Sequence, residues 1–492
     1  MKKLALCLLG FLLILGGCKK DVSLDSVSKD LSIYNLEITL NEDMTLEGKE
    51  NLTYINNTGE TLDHICFHLY PTAFSEGAIN TPVSKLNESS AYSNGKSYGD
   101  IAINSLLVDG KEVTPKYSGE DENILIVDLP KKLSKDKKVD IEIGFSVILP
   151  NINHRFGYGA NTINLANFYP IVAVYENGDF ICNPYHYNGD PFFSDMANYN
   201  VKLTAPKNLV LASSGTINST NEGEINNSYE MSAKVVRDFA MVLSEKFQMI
   251  ESSTGGTRIM YYYYDDDTPE ESLQTAVDSI NTFNELFGEY PYSTLSVVQT
   301  NFVHGGMEFP NLVYISDAVT EKASYKNVII HEIAHQWWYQ LVGSDAYRYP
   351  WLDEGLTEFS TVLFYEQNPQ YNVSPEETIK NTTNNYVSFI DLYHDIIGDI
   401  DESMTRALNE YNTETEYVYM TYVKGCLFFD SLRDTVGQKK FMKSLKQYFE
   451  NSKFKNVTPE DFIGTFEKVC HTDLSGFFHS WVDGKVIIQK IA

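Results

Sequence analysis

Residues 331–360 read HEIAHQWWYQLVGSDAYRYPWLDEGLTEFS. Two histidines stand four apart with a glutamate directly after the first, and a second acidic pair, Glu354 and Glu358, stands four apart in a second apolar run. Such groups are costly to bury on apolar helix faces unless something such as a metal compensates them. On a helix, positions i and i+4 share a face one turn apart, so His331 and His335 can hold one ion between them. Glu332 is turned by about 100° from His331, which carries its carboxylate toward an attacking water rather than toward the metal. A catalytic zinc takes three protein ligands and keeps one position open. Eighteen residues separate His335 from Glu354; Glu354 is read as the third ligand, and Glu358 as an acceptor for a ligand histidine. The pattern H-E-x-x-H-x-x-G-x-x-H is excluded, because Trp338 stands where its glycine would be. The histidines are predicted to lie on one helix over 324–342, closed by Gly343 as a C-cap.

Upstream, from Leu31 to about Val242, apolar residues alternate with period two between turn residues, as in LSIYNLEITL (31–40), KVDIEIGFSVILP (138–150) and YNVKLTAPKNLVLASSG (199–215). That is the pattern of an antiparallel β domain. After TRIMYYYYDDD (257–267) the period changes. Thr268, Pro269 and Glu271 make a helix start with capping-box character, and Leu273, Val277, Ile280 and Phe287 fall on one helical face. The rest reads as helical, apart from TLSVVQTNFVHGGMEFPNLVYIS (294–316), which reads as two short strands around a Gly-Gly turn.

With 492 residues, of which 43% are hydrophobic, the chain has material for two or three packed units. Its formal charge of -29 argues against a nucleic-acid partner, which needs clustered Lys and Arg. The first eighteen residues, MKKLALCLLGFLLILGGC, have a basic start and an apolar run from Leu4 to Leu15 that is too short for an ordinary membrane span. They read as a secretory signal. LGGC resembles a bacterial lipobox, in which Cys18 carries the lipid, and residues 19–30 read as a polar tether. The expected mature protein is a lipoprotein held outside the cytoplasm on the bacterial cell surface by acyl chains. Cys66, Cys182, Cys426 and Cys470 remain, with three connectivities open and no C-x-x-C pair.

H-E-x-x-H, eighteen residues and WLDEGLTEF, preceded by GGMEFP at 305–310, resemble the zinc aminopeptidases of the aminopeptidase N and leukotriene A4 hydrolase family. FFSDMANYNVKLTAP (192–206) resembles that family's N-terminal β domain, TYVKGCLFFDSLRDTVGQKKF (421–441) its catalytic tyrosine helix, and FFHSWVDG (477–484) the end of its catalytic domain. The resemblance implies a gluzincin: a β-rich N-terminal domain with antiparallel sheets over 31–245, then a thermolysin-like, mainly α-helical catalytic domain over 246–492. The large C-terminal helical domain of the family's bigger members is expected to be missing, since the sequence stops soon after Trp481. It also implies one zinc ion on His331, His335 and Glu354, Glu332 as general base, and Tyr422 as donor to the oxyanion. Glu308 would contact the free amino group of a peptide, beside Gly305, Gly306 and Met307, where a peptide backbone can lie along the strand. Phe309 and Pro310 depart from the family's G-x-M-E-N, and no second amine-binding glutamate is found near CNPYHYNGDPFFSD (182–195), which offers Asp190 and Asp195. The expected function is a monomeric zinc aminopeptidase acting on peptides. The alternatives are an endopeptidase of the same chemistry and a lipoprotein that binds peptides without cutting them.

Overall fold

The computed structural model describes residues 23–484 and 486–491. The signal segment 1–18 with Cys18, and residues 19–22 of the tether, lie outside the described residues. The remainder of the tether forms two short helical turns, Leu24–Val27 and Ser28–Asp30. They pack on the β region: Asp25 pairs with Lys234 at 2.9 Å, and Asn198 Nδ2 donates to Ser28 O at 2.8 Å. Among the described residues no helix is long and apolar enough to cross a membrane.

The alternation in Ile33–Leu40 puts Tyr34, Leu36, Ile38 and Leu40 on a buried face. This strand lies inside an eight-stranded sheet, between Thr45–Ile55 and Ala197–Pro206. Its pairing with Thr45–Ile55 is antiparallel, as sequential strands joined by a tight turn must be. Its pairing with Ala197–Pro206 is parallel, a departure from the expected all-antiparallel arrangement. A long excursion through three other sheets joins those two strands, so nothing local fixes their relative direction. Two four-stranded sheets, one containing Leu62–His68 and the other Ile163–Leu165, complete the β-rich N-terminal region and share its buried apolar cluster.

A five-stranded sheet of Gln248–Thr254, Thr257–Tyr263, Thr294–Thr300, Leu312–Ser316 and Gly306–Met307, in that spatial order, begins the helical half. The 294–316 stretch is therefore no simple hairpin: Thr294–Thr300 runs parallel to Leu312–Ser316, and Gly306–Met307 folds back as a two-residue edge strand. Pro269–Leu286 follows with the expected buried face, but Thr268 makes no side-chain cap. Asp266 braces the helix start instead, accepting from Thr268 N at 2.8 Å and from Ser272 Oγ at 2.6 Å.

The histidine helix is shorter than the expected 324–342 span. It runs Lys322–Ala334, and the chain then unwinds through hydrogen bonds five residues back, from Gln340 N to His335 O and from Val342 N to Trp337 O. Gly343 is not a C-cap but the middle of strand Val342–Ser344. Its missing side chain has another cause: a Cβ there would lie 2.0 Å from the Arg237 guanidinium carbon. Arg237, 2% exposed, donates to Tyr339 O at 2.7 Å, to Ser194 O at 2.7 Å and to Lys455 O at 2.8 Å, binding the β-rich half to the helical half.

Glu50 breaks the rule that buried charges are paired. It is fully buried on Thr45–Ile55, both carboxylate oxygens lack a hydrogen-bond partner, and burial pushes its carboxyl well above the usual range. Folding thus favours the protonated acid. The stability this group allows is complete below the unfolded carboxyl value and is lost as pH rises through the raised native one. Glu50→Met, close in shape and uncharged, should raise the unfolding free energy by about 1–3 kcal/mol at neutral pH. The gain should widen as pH rises above the unfolded carboxyl value, read as urea midpoints of the two proteins.

Candidate metal centre

Four segments converge on one cleft of about 270 Å³. The histidine helix carries His331 and Glu332 and ends at His335. A widened π-type turn, Trp351–Gly355, carries Glu354 and continues into Leu356–Gln367, which carries Glu358. A second such turn, Tyr419–Val423, carries Tyr422 and continues into Lys424–Val436. The edge strand Gly306–Met307, with Glu308 behind it, forms a wall. Single-turn widenings of this kind recur at functional sites.

The first widened turn meets the start of the helix after the second through glycines. A Cβ on Gly355 would lie 2.9 Å from Gly425 Cα, and one on Gly425 would lie 2.7 Å from Gly355 Cα. Only bare backbone permits that approach, and it brings Tyr422 OH within 2.6 Å of Glu354 Oε1, to which it donates.

The other Glu354 oxygen, Oε2, lies 3.1 Å from His335 Nε2 and 3.3 Å from His331 Nε2, and the two Nε2 atoms are 3.1 Å apart. Each outer nitrogen is already engaged. His331 Nδ1 lies 3.1 Å from Glu358 Oε2, while His335 Nδ1 lies 2.9 Å from Asp353 Oδ1 and 3.0 Å from Trp338 O. A neutral imidazole that donates from Nδ1 presents a lone pair at Nε2. Two imidazole lone pairs and a carboxylate oxygen then face one another, all within 4.8 Å. A cation is the group that satisfies all three, and this donor set fits zinc. Protons are the other relief. Burial pushes His331 down, but its hydrogen bonds to Glu354 and Glu358 outweigh that and bring it up to about 10.

Glu332 lies beside these donors without being one of them, and burial pushes its carboxyl up to about 7 against the pull of both histidines. Gly306 makes room for it: a Cβ there would sit 2.4 Å from Glu332 Oε1. Gly305 and Gly306 line the cleft, whereas the expected substrate contact Met307 is 1% exposed and does not line it, its side chain being taken up by the core. Glu308 is 2% exposed and lines the cleft with Oε1 unpartnered; burial, with Asp190 adding to it, pushes its carboxyl well above the usual range.

Residues 271–481 match the family described as Peptidase family M1 domain. That stretch carries a peptidase family M1 domain. Aminopeptidase M1-C of Oryza sativa subsp. japonica is 24% identical over 410 residues, covering 78% of this chain and 44% of that protein. Aminopeptidase B of Rattus norvegicus is 29% identical over 194 residues, covering 37% of this chain and 28% of that protein. The chain thus spans less than half the length of these curated relatives. The crystal structure of an M1 zinc metallopeptidase from Deinococcus radiodurans matches with a TM-score of 0.66 at 16% identity, covering 94% of this chain and 95% of that one. At that identity the likeness is one of fold, and it extends over both halves. Zinc is the cofactor that an M1 domain implies, and the donors above fit it.

Three residues of this M1 site escaped the sequence reading. Asp190, 8% exposed, reaches the cleft from the β-rich half and pairs with Arg155 at 2.8 Å. The sequence offered Asp190 as a bare acid after Gly189 and gave no signal for Arg155. Asp353 holds His335, and its signal was present in WLDEG: a ligand histidine needs an acceptor for its other nitrogen, and Asp353 adjoins Glu354. Of the neighbouring tyrosines, Tyr419 stacks on Phe389 with centroids 4.0 Å apart and Tyr411 is buried beside Thr421, while Tyr417 joins Tyr422 at the cleft. Asp353→Ala should lower zinc affinity about 10–100-fold with the fold intact, measured by competition against a chromophoric chelator alongside far-ultraviolet circular dichroism.

Proposed function

We propose that the chain is a zinc-dependent aminopeptidase that removes residues one at a time from free peptide N-termini. The observation that carries this reading is Glu308: a buried carboxylate oxygen without a partner, in the same cleft as the metal donors. Without a cation such a group keeps a proton, and a substrate ammonium replaces that proton with an ion pair. Asp190, held by Arg155, supplies a second carboxylate on the same side of the cleft. Fixing the amine fixes which peptide bond lies at the metal donors, and this is what makes a hydrolase an exopeptidase.

His331, His335 and Glu354 would hold the zinc, which when bound supplies a Lewis acid that polarises the scissile carbonyl and makes water acidic near neutral pH. Glu332 takes the proton of the attacking water and passes it to the leaving amine, a task suited to a carboxyl raised by burial. Tyr422 faces the cleft beside Glu354 and donates to the carbonyl oxygen as it gains charge. Gly306–Met307 is an edge strand, so its free backbone groups can pair with an extended peptide. Residues 31–245 act as the supporting β domain and 246–492 as the peptidase domain. The lipobox-like LGGC supports anchoring through Cys18 on the outer face of the cytoplasmic membrane.

A peptide library in free and N-acetylated forms tests the reading by mass spectrometry. Stepwise loss of N-terminal residues from free peptides alone is expected; internal cuts in both forms would establish an endopeptidase and remove the role of Glu308. Glu332→Gln should keep its zinc and lose about 10²–10⁴-fold in turnover, and absence of cutting in zinc-loaded wild type would favour peptide binding without hydrolysis. Gly306→Ala should keep zinc but displace Glu332, lowering kcat by about 100-fold, read with the same free peptides.

A further inference from the structure

Cys66 and Cys182 are far apart in the chain and meet in the fold. Cys66 lies on Leu62–His68, where alternate side chains share a face, so it projects on the same side as His68. The chain leading into Cys182 crosses that face, with Ile181 O 3.1 Å from His68 Nε2. A small hairpin, Tyr175–Glu176 with Asp179–Phe180, delivers it there. Ile181 N donates to Val174 O at 2.7 Å, and Ala173 N donates to Cys66 O at 2.9 Å. This backbone path brings the two thiols to one place, Cys66 in a buried position and Cys182 in an exposed one.

Beyond Cys182 the chain runs directly into the cleft. Asn183 Nδ2 donates to Asp345 Oδ1 at 3.3 Å, Tyr185 OH lies 3.4 Å from Arg155 Nη1, and Tyr187, Gly189 and Asp190 line the cleft wall. We propose that Cys66 and Cys182 form a reversible dithiol–disulfide pair, with oxidation clamping the root of the cleft-wall segment 183–190 to the strand Leu62–His68. This site is independent of the peptidase reading, since its readout is chemical.

The oxidant is a small-molecule disulfide such as oxidised glutathione. The Cys182 thiolate attacks one of its sulfurs, forming a mixed disulfide and releasing one glutathione thiolate. Cys66 then attacks the Cys182 sulfur and expels the second. The two protein thiols lose two electrons to the glutathione disulfide, and their two protons go to the two released thiolates. The division of roles follows from the surroundings. The neighbouring Cys66 holds the exposed Cys182 thiol below its ordinary value, while Cys182 and burial push Cys66 up. The accessible sulfur is therefore the better first nucleophile, and the buried one resolves.

The full chain, reduced and then held in glutathione buffers of increasing oxidised fraction, is quenched with an alkylating reagent, digested and mapped by mass spectrometry. The expected product is a Cys66–Cys182 linked peptide lighter by two hydrogens, with glutathione on Cys182 only as a transient. In Cys66→Ala that adduct should accumulate. In Cys182→Ala no link should form, and Cys66 should stay unreactive until the chain is unfolded. The oxidised wild type should melt about 5 °C above the reduced form, and amide exchange in 183–190 should slow. A glutathione adduct that persists on wild-type Cys182, a link from Cys182 to Cys426 or Cys470, or a link that forms only after denaturation would overturn the proposal.

Discussion

One carboxylate oxygen organises the catalytic half of this protein. Glu354 Oε2 lies within hydrogen-bond distance of both His331 Nε2 and His335 Nε2, and the other oxygen of the same carboxylate takes the Tyr422 hydroxyl. Here the segments carrying Glu354 and Tyr422 each widen by a turn, and Gly355 of the first touches Gly425, just beyond the second. A carboxylate this deep is tolerable only because its surroundings are cationic or become so. Burial pushes Glu354 up, but the two histidines more than reverse that and hold it well below the usual carboxylate range.

The β-rich half is part of the site and not only its support. Arg155 and Asp190 come from it and line the cleft together with the histidine helix, and Asn183 reaches across to Asp345. Arg237 ties the same half to the backbone just after His335, at Tyr339 and Gln340. That backbone has left the helix and has no i→i−4 partners of its own, so buried carbonyls there need donors from elsewhere. A guanidinium with several donors in a fixed fork suits that need, and Gly343 leaves the space for it. The unwinding after His335 and the junction between the halves are thus one feature.

Much of this was legible in the sequence, and the parts that were not share a cause. His331, His335, Glu354 and Glu358 could be placed because helix periodicity converts spacing into direction, and alternation from Leu31 onward marked the strands for the same reason. The pairing of Ile33–Leu40 with Ala197–Pro206 could not be read, since alternation assigns faces but not neighbours. The helix end was misplaced because the apolar Trp337 and Trp338 continue the pattern while the backbone does not. Asp190 and Arg155 carry no local signal: their meaning comes from each other and from Glu308, all distant in the chain. The glycines at 306, 343, 355 and 425 belong to the same class, since each is explained by an atom from another segment.

The chemistry of the cleft follows by asking which of its charges remain unanswered. Six carboxylates line it, from Asp190, Glu308, Glu332, Glu354, Glu358 and Glu414, against a single arginine. Asp190 is answered by Arg155, Glu354 by the histidines and the ion they imply, and Glu358 by His331. Glu414 accepts from Ser84 and Asn87. Two remain, and their settings differ. Glu332 stands next to both histidines near the point where it can take up and release a proton, and burial tunes it toward neutrality. Glu308 lies farther along the wall, wholly buried, with an oxygen that nothing in the protein satisfies. A neutral acid there would waste a buried acceptor, and a lone anion would be expelled by the low dielectric. Under the proposed function that partner is the free amino group of a peptide, a small cation that brings several donors with it.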